Sequence, residues 1–319
     1  MSELAGTIAR QGEVLREVLD LDLRQALRSL DGAQRVWLVG TGTSEHAARL
    51  GASMLATAGL DARPLSAAGF CARFDELGAD DAVIVITHTT ETAFARRGRE
   101  LALAAGMPLI GVTGKGKGWS EALEVAPPER SETYTASYLA ALFVLARLAV
   151  ALGSDQFDGA DLAAIPALVD EAVTGEVPRF DPPRRLAVLF GAGAAAVTSQ
   201  EGALKLREAA RVAAEGFESE YLLHGSAALL GPEDLMLAVD PRGDDSGLGM
   251  ALLRAGAAAG CTVGGIVAPA GVHPLLAQLP MTVRLQTLAA AWADSLGADP
   301  DRVVTSPWDA DFLWGAGGP

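Results

Sequence analysis

A pattern that occurs twice constrains this chain more than any other feature. Arg35-Val36-Trp37-Leu38-Val39 is an apolar run of strand character, followed by Gly40-Thr41-Gly42 and a helical stretch ending near Ala58. Leu186 to Phe190 repeats the strand, Gly191-Ala192-Gly193 repeats the turn, and a helix follows again. The glycine turns are 151 residues apart (191 against 40), and the next strand-to-loop junction, Ile86-Thr87 against Val239-Asp240, is offset by 153 (239 against 86). Offsets this close predict a duplicated α/β unit. An apolar strand closed by a Gly-rich turn and a helix is a βα unit, and such units in series build a parallel sheet covered by helices.

The 319 residues are enough for two such domains, and half of them are apolar, so each can bury a core. Residues 3–30 read as one or two amphipathic helices, with Leu15, Val18, Leu19, Leu23, Leu27 and Leu30 at helical spacing. Strands are expected at 82–86 and 109–113, a helix over 45–58, another through Leu103, and an apolar helix from Glu129 to Leu152. One further helix and the Pro182-Pro183 linker end the first half, which puts the domains at 1–180 and 181–319. In the second half, strands are expected at 262–267 and 281–285 and a helix over 287–296, with His273 as a turn residue before Pro274. The tail from Gly297 reads as irregular, with Trp308, Phe312 and Trp314 as docking anchors.

Charge narrows the partners. The net charge is -15, which argues against nucleic acid, because phosphate backbone needs a basic surface. An anionic small ligand must then be held locally, by helix N-termini, amides and hydroxyls. Only Cys71 and Cys261 occur, without metal-ligand spacing, and the charged N-terminus is no signal peptide. The most apolar stretch, 138–152, is too short and too broken by Arg147 to span a bilayer. A cytoplasmic, reduced protein is expected, with no metal, cofactor or membrane partner.

Two loops could hold an anion. Gly40-Thr41-Gly42-Thr43-Ser44 opens a helix, but with Glu45 in place of a third glycine it lacks the dinucleotide fingerprint. Thr87-His88-Thr89-Thr90-Glu91-Thr92 follows an apolar strand, where ligands of α/β sheets sit. Threonines also cap helices, although one cap needs one hydroxyl. His88 could neutralise an anion as imidazolium, or only stack. Gly114-Lys115-Gly116-Lys117-Gly118 lacks phosphate-loop spacing and reads as an exposed turn. In the second copy Ala194-Ala195-Ala196 replaces Thr43-Ser44-Glu45, so the first copy is expected to anchor and the second to do chemistry.

The chemistry would come from EGALKLREAARVAAEGFESEYLLHG, residues 201–225. Helical spacing puts Glu201, Lys205 and Glu208 on one stripe, with Ala203, Leu206, Ala209, Ala210, Ala213 and Ala214 on the far, apolar side. Such a stripe is either a solvated surface with a Glu-to-Lys pair or, with His224 returning nearby, a proton-transfer site. Lysine is rare, at 115, 117 and 205 alone.

At these residues the chain resembles the tandem sugar isomerase (SIS) domains, above all the isomerase half of glucosamine-6-phosphate synthase. The most specific match is E-G-A-L-K-L-R-E at 201–208 with His224-Gly225 behind it; weaker ones are Gly42 to Ser44, Thr87 to Thr92, and Asp299 to Asp301. The resemblance implies two tandem SIS domains, each a flavodoxin-like αβα sandwich with a mainly parallel sheet. It implies a sugar 6-phosphate or amino-sugar 6-phosphate as ligand. Its phosphate would be held around Thr43, Ser44, Thr87, His88, Thr89 and Thr92. Glu208 would move a proton between C1 and C2, Lys205 would stabilise the enolate, and His224 would assist ring opening in a neighbouring subunit's site, which requires a homodimer.

Departures refine this. No glutaminase domain or catalytic cysteine precedes the match and no lysine follows Lys205, so glutamine-dependent amination is not expected. Thr90 stands where the family favours Gly, and His88 where Gln is common. The expected function is an aldose–ketose isomerase or amino-sugar-phosphate isomerase/deaminase. The alternatives are a ketosamine-6-phosphate deglycase and a non-catalytic phosphosugar sensor.

Overall fold

The computed structural model describes residues 2–78, 80–175 and 180–316. In chain order the elements are α1 (Glu3–Ala9), α2 (Gln11–Leu19), α3 (Arg24–Leu30), β1 (Arg35–Gly40), α4 (Thr43–Ala56), β2 (Ala62–Ser66), α5 (Ala67–Ala72), β3 (Asp81–Thr87), α6 (Ala93–Ala104), β4 (Leu109–Gly114), β5 (Ala122–Ala126) and α7 (Ala136–Ala151). Then come α8 (Gly159–Thr174), β6 (Ala187–Gly191), α9 (Ala194–Ala210), β7 (Ala214–Glu218), α10 (Ser219–Leu223), β8 (Leu235–Val239), α11 (Leu248–Ala258), β9 (Thr262–Ile266), α12 (Pro274–Leu296) and α13 (Asp311–Trp314).

The chain divides into two compact units, each an α/β fold around a parallel sheet. The first comprises 10–129, 134–166 and the chain from Val304 on; the second comprises the chain up to Ala9, 130–133 and 167–303. Their sheets run β2-β1-β3-β4-β5 and β7-β6-β8-β9, with every pairing parallel, so the second repeats the first without its last strand. The repeat extends to the backbone: Gly42 (φ 58°, ψ −126°) and Gly193 (φ 53°, ψ −120°) precede α4 and α9 in nearly one conformation, open in practice to glycine alone. The central strands are buried on both faces, as a sheet sandwiched between helices requires. In the first unit Trp37, Val39, Val83 and Val85 pack with Phe70 and Ala95 of α5 and α6; in the second Val188, Phe190, Met236 and Ala238 pack with Leu222 and Leu252 of α10 and α11.

Several sequence expectations are corrected. Residues 281–285 are not a strand but the middle of α12. Met281, Val283 and Leu285 alternate like a strand, yet Leu279, Pro280, Thr282 and Gln286 are buried too, so this helix is enclosed nearly all round. Against such burial, β-branched propensity and Pro280 lose. The apolar helix begins at Ala136, because the Glu129 carboxylate accepts from the amides of Thr135, Ala136 and Ser137 at 2.8–3.3 Å and caps it there. Ala213 and Ala214 do not continue α9. Arg211 closes it in the left-handed region (φ 59°), its guanidinium held by the carbonyls of Arg302 and Val303. Trp308, Phe312 and Trp314 are 69%, 76% and 60% exposed rather than docked, and the Trp314 indole N–H donates to the Trp308 carbonyl. The last three tail residues lie outside the described ones. The Asp299-Pro300-Asp301 motif is structural, since the Asp301 carboxylate accepts from the amides of Glu3 and Leu4 and caps α1. His273 is the N-cap of α12, its Nδ1 accepting from the Leu275 amide. Among the described residues no helix is long and apolar enough to cross a membrane.

Candidate active site

Secondary structure assembles two groups of expected residues, one in each unit. In the first, the 40–44 turn and the 87–92 loop follow the C-terminal ends of β1 and β3, which pair directly with Val39 opposite Val85. The chain leaves β1 toward β2 on one side and returns to β3 on the other, so the sheet's switch point lies between them. Ligands of open parallel sheets occupy that crevice. Thr43 and Ser44 stand in the first turn of α4, where the helix dipole favours negative charge.

The threonine loop does more than cap α6. Thr92 is the N-cap residue, but its hydroxyl makes no capping bond. Thr89 Oγ1 accepts from the Glu91 amide at 3.2 Å, and the Thr90 hydroxyl donates to the Thr89 carbonyl. Thr90 sits at φ 64°, where a β-branched residue is strained and a glycine would not be. Thr87, the last residue of β3, is buried. Burial pushes the His88 pKa below the ordinary 6.5, with Glu129 opposing the fall and Lys117 adding to it, which disfavours the imidazolium reading. Its ring leans on Tyr134, with centroids 5.4 Å apart, and fills the space a side chain at Gly114 would need.

An expected result follows for Thr92→Val. With no cap bond to lose, folding stability in denaturant titrations should stay within about 0.5 kcal/mol. A lost hydrogen bond to a phosphate should weaken inorganic phosphate or phosphosugar binding roughly tenfold or more by calorimetry. Unchanged affinity would remove Thr92 from the anion site.

The second group lies on α9, which packs between the sheet and α12. Gly202 permits this: a Cβ there would come within 2.6 Å of the Leu285 side chain and 2.9 Å of Leu189. The helix therefore buries its charged stripe. Glu201 is 0% and Lys205 1% exposed, while neighbouring Leu204 is only half-buried and Arg207 is exposed. This inversion overturns the solvated-stripe reading, because fully buried charges are rare unless paired. Lys205 Nζ donates to Glu208 Oε2 at 2.6 Å and lies 3.4 Å from Glu201 Oε1. Glu208 ends the row at 19% side-chain exposure. Burial raises its pKa above the ordinary 4.5; Lys205 opposes the rise by charge and hydrogen bond, and Glu201 reinforces it.

His224 is placed differently. It is the C-cap of α10, 73% exposed, with Nε2 3.9 Å from Glu220 Oε1, too far for a hydrogen bond. It lines an open hollow of about 720 Å³ with Ser219, Glu220, Asp244 and Arg254.

Comparison with known proteins finds a family match in this half. Residues 183–260 match the SIS domain. The matched segment contains the whole of α9 and His224, so the buried stripe lies within it. Over 88% of its length the chain is 28% identical to the isomerizing glutamine–fructose-6-phosphate aminotransferase of Thermococcus kodakarensis, covering 52% of that protein. The chain thus spans about half the length of the curated relatives it matches. Among solved structures, it resembles the C-terminal domain of glucosamine-fructose-6-phosphate aminotransferase from Francisella tularensis (TM-score 0.82, 19% identity, 95% of this chain and 98% of that one). It also resembles tagatose-6-phosphate ketose/aldose isomerase from Escherichia coli (TM-score 0.75, 19% identity, 97% of each). These likenesses show that the fold around the SIS domain is shared.

Proposed function

We propose that the chain is a phosphosugar aldose–ketose isomerase, or an amino-sugar-phosphate isomerase/deaminase, working by enolisation at C1 and C2 of a sugar 6-phosphate. The observation that carries this reading is Glu208: a partly exposed carboxylate, made more basic by burial, with an ammonium 2.6 Å away. In the open-chain sugar the carboxylate takes the proton from one carbon and returns it to the next, while a hydroxyl proton passes between the two oxygens. For an aldose–ketose pair the atoms balance and no oxidant is needed; for an amino sugar the C2 enamine becomes an imine, which takes up one water and releases ammonia. Lys205 stands ready to stabilise the negative oxygen of the enolate.

Other assignments belong to the same proposal. Thr43, Ser44, Thr89 and Thr92 hold the phosphate, with Thr87 and His88 shaping the loop beneath. His224 of a second copy assists ring opening in a homodimer. Residues 1–180 form a diverged SIS domain ahead of the one at 181–319. The relatives' names support the reading, since one is an isomerizing aminotransferase acting on fructose 6-phosphate and another a ketose/aldose isomerase.

The base must be ionised to act, so activity should be lost as pH falls through the raised pKa of Glu208. The acid limb of the rate–pH profile should therefore lie above 4.5. A limb at or below that value would remove Glu208 as the base. The function itself is tested by phosphorus NMR of aldose and ketose 6-phosphates mixed with the protein. Interconversion of one pair is expected; binding without interconversion of any pair would favour a sensor.

A further inference from the structure

The proposed mechanism gives no role to Glu201, the buried carboxylate next to its lysine. Glu201 is 0% exposed, yet it carries a carboxylate one helical turn before Lys205, with Oε1 3.4 Å from Nζ. Glu208 holds the same ammonium three residues further on, at 2.6 Å. The three side chains form a row along α9 that runs from full burial at Glu201 to partial exposure at Glu208. We infer that Glu201 is a positioning residue that engages the inner side of the Lys205 ammonium and so limits how much positive charge Glu208 feels. The inference rests on the reading of Glu208 as the base.

The physics is that of one cation between two anions. If Lys205 answered Glu208 alone, a 2.6 Å charge-assisted bond would hold Glu208 firmly ionised and leave it a weak base. A second buried carboxylate draws on the same ammonium and repels the charge on Glu208. Both effects make Glu208 more willing to take a proton. The raised pKa of Glu208, to which Glu201 contributes, agrees with this. The other charge on α9 that acts on Glu208 is Arg207, which opposes. Of the elements packed against α9, β6 and β8 carry no titratable side chain, β7 brings Glu215 and Glu218, and α12 brings Arg284 and Asp294. Glu201 also has a structural advantage over a surface charge: the helix and its buried packing fix it, so its effect is screened little by salt.

The test is Glu201→Gln, which keeps the shape and an oxygen acceptor for Lys205 but removes the charge. Carbon-13 NMR of glutamate-labelled protein would follow the Glu208 carboxyl through its titration, alongside the rate–pH profile. The expected result is a fall in the Glu208 midpoint on the order of one pH unit, with the acid limb of the rate moving down equally and the plateau rate falling. Glu201→Asp, which withdraws the charge by one methylene, should shift the midpoint the same way by less, and serves if the Gln variant does not fold. An unmoved Glu208 midpoint in whichever variant folds would overturn the inference, as would a uniform loss of rate with no change in the profile. A midpoint that moves in a protein without isomerase activity would uphold the role of Glu201 and reject the functional reading alone.

Discussion

Lys205→Met is expected to cost about 3–5 kcal/mol of folding stability at neutral pH, measured by urea titration. The side chain is 1% exposed, and its ammonium lies between Glu201, which is fully buried, and Glu208. Methionine fills nearly the same volume, so cavity formation contributes little; the cost comes from leaving carboxylate charge without its partner in a poorly solvated place. The deficit should shrink as pH falls. Native carboxylates stripped of the ammonium bind protons more readily than unfolded ones, so protonation favours the folded state and relieves the penalty. A surface pair would be worth at most about 1 kcal/mol. A loss that small, unchanged between neutral and acid pH, would show that the row is solvated after all.

Glu208→Gln should leave the fold intact and reduce phosphosugar interconversion by about two to four orders of magnitude. Gln keeps the length and one oxygen for Lys205 but cannot take a carbon-bound proton. Phosphosugar affinity should change far less than turnover, because the phosphate contacts are assigned to Thr43, Ser44, Thr89 and Thr92. A comparable loss in affinity would make Glu208 a binding residue rather than the base. Retained turnover would require another group for the proton transfer.

The fold was legible where burial enforces a simple pattern. Strands β1, β3, β4, β6, β8 and β9 are continuous apolar runs or nearly so, and the offsets of 151 and 153 correctly paired β1 with β6 and β3 with β8. What escaped were short strands beside them. β2 reads ARPLS and β7 reads AEGFE, each at the rim of its sheet, where a proline or a charge is tolerated and no apolar run is required. Residues 281–285 failed for the opposite reason: apolar on every side, they carry no periodicity by which to tell helix from strand.

The site was legible as a set of residue types and only partly as an environment. Helical spacing placed Glu201, Lys205 and Glu208 together, and the structure agrees. Spacing could not say which side of α9 faced inward. The alanines and leucines looked like the buried face, yet α9 is covered on several sides, and the charged stripe is buried with them. Gly202 was the available signal, since glycine inside a helix marks close packing against a neighbour. His88 shows a similar limit: the loop sequence named it, but only the packing of Tyr134 and Gly114 around the ring reveals the burial that pushes its pKa down.

The central claim is that Glu208 moves a proton between C1 and C2 of a bound sugar phosphate. Proton NMR in deuterated water, with a panel of 6-phosphosugars and amino-sugar 6-phosphates, tests it most directly. The account predicts that wild-type protein incorporates deuterium at C1 or C2 of at least one ligand and that Glu208→Gln does not. A ligand that binds wild type yet keeps its carbon-bound protons, or a Glu208→Gln protein that exchanges them at the wild-type rate, would contradict it.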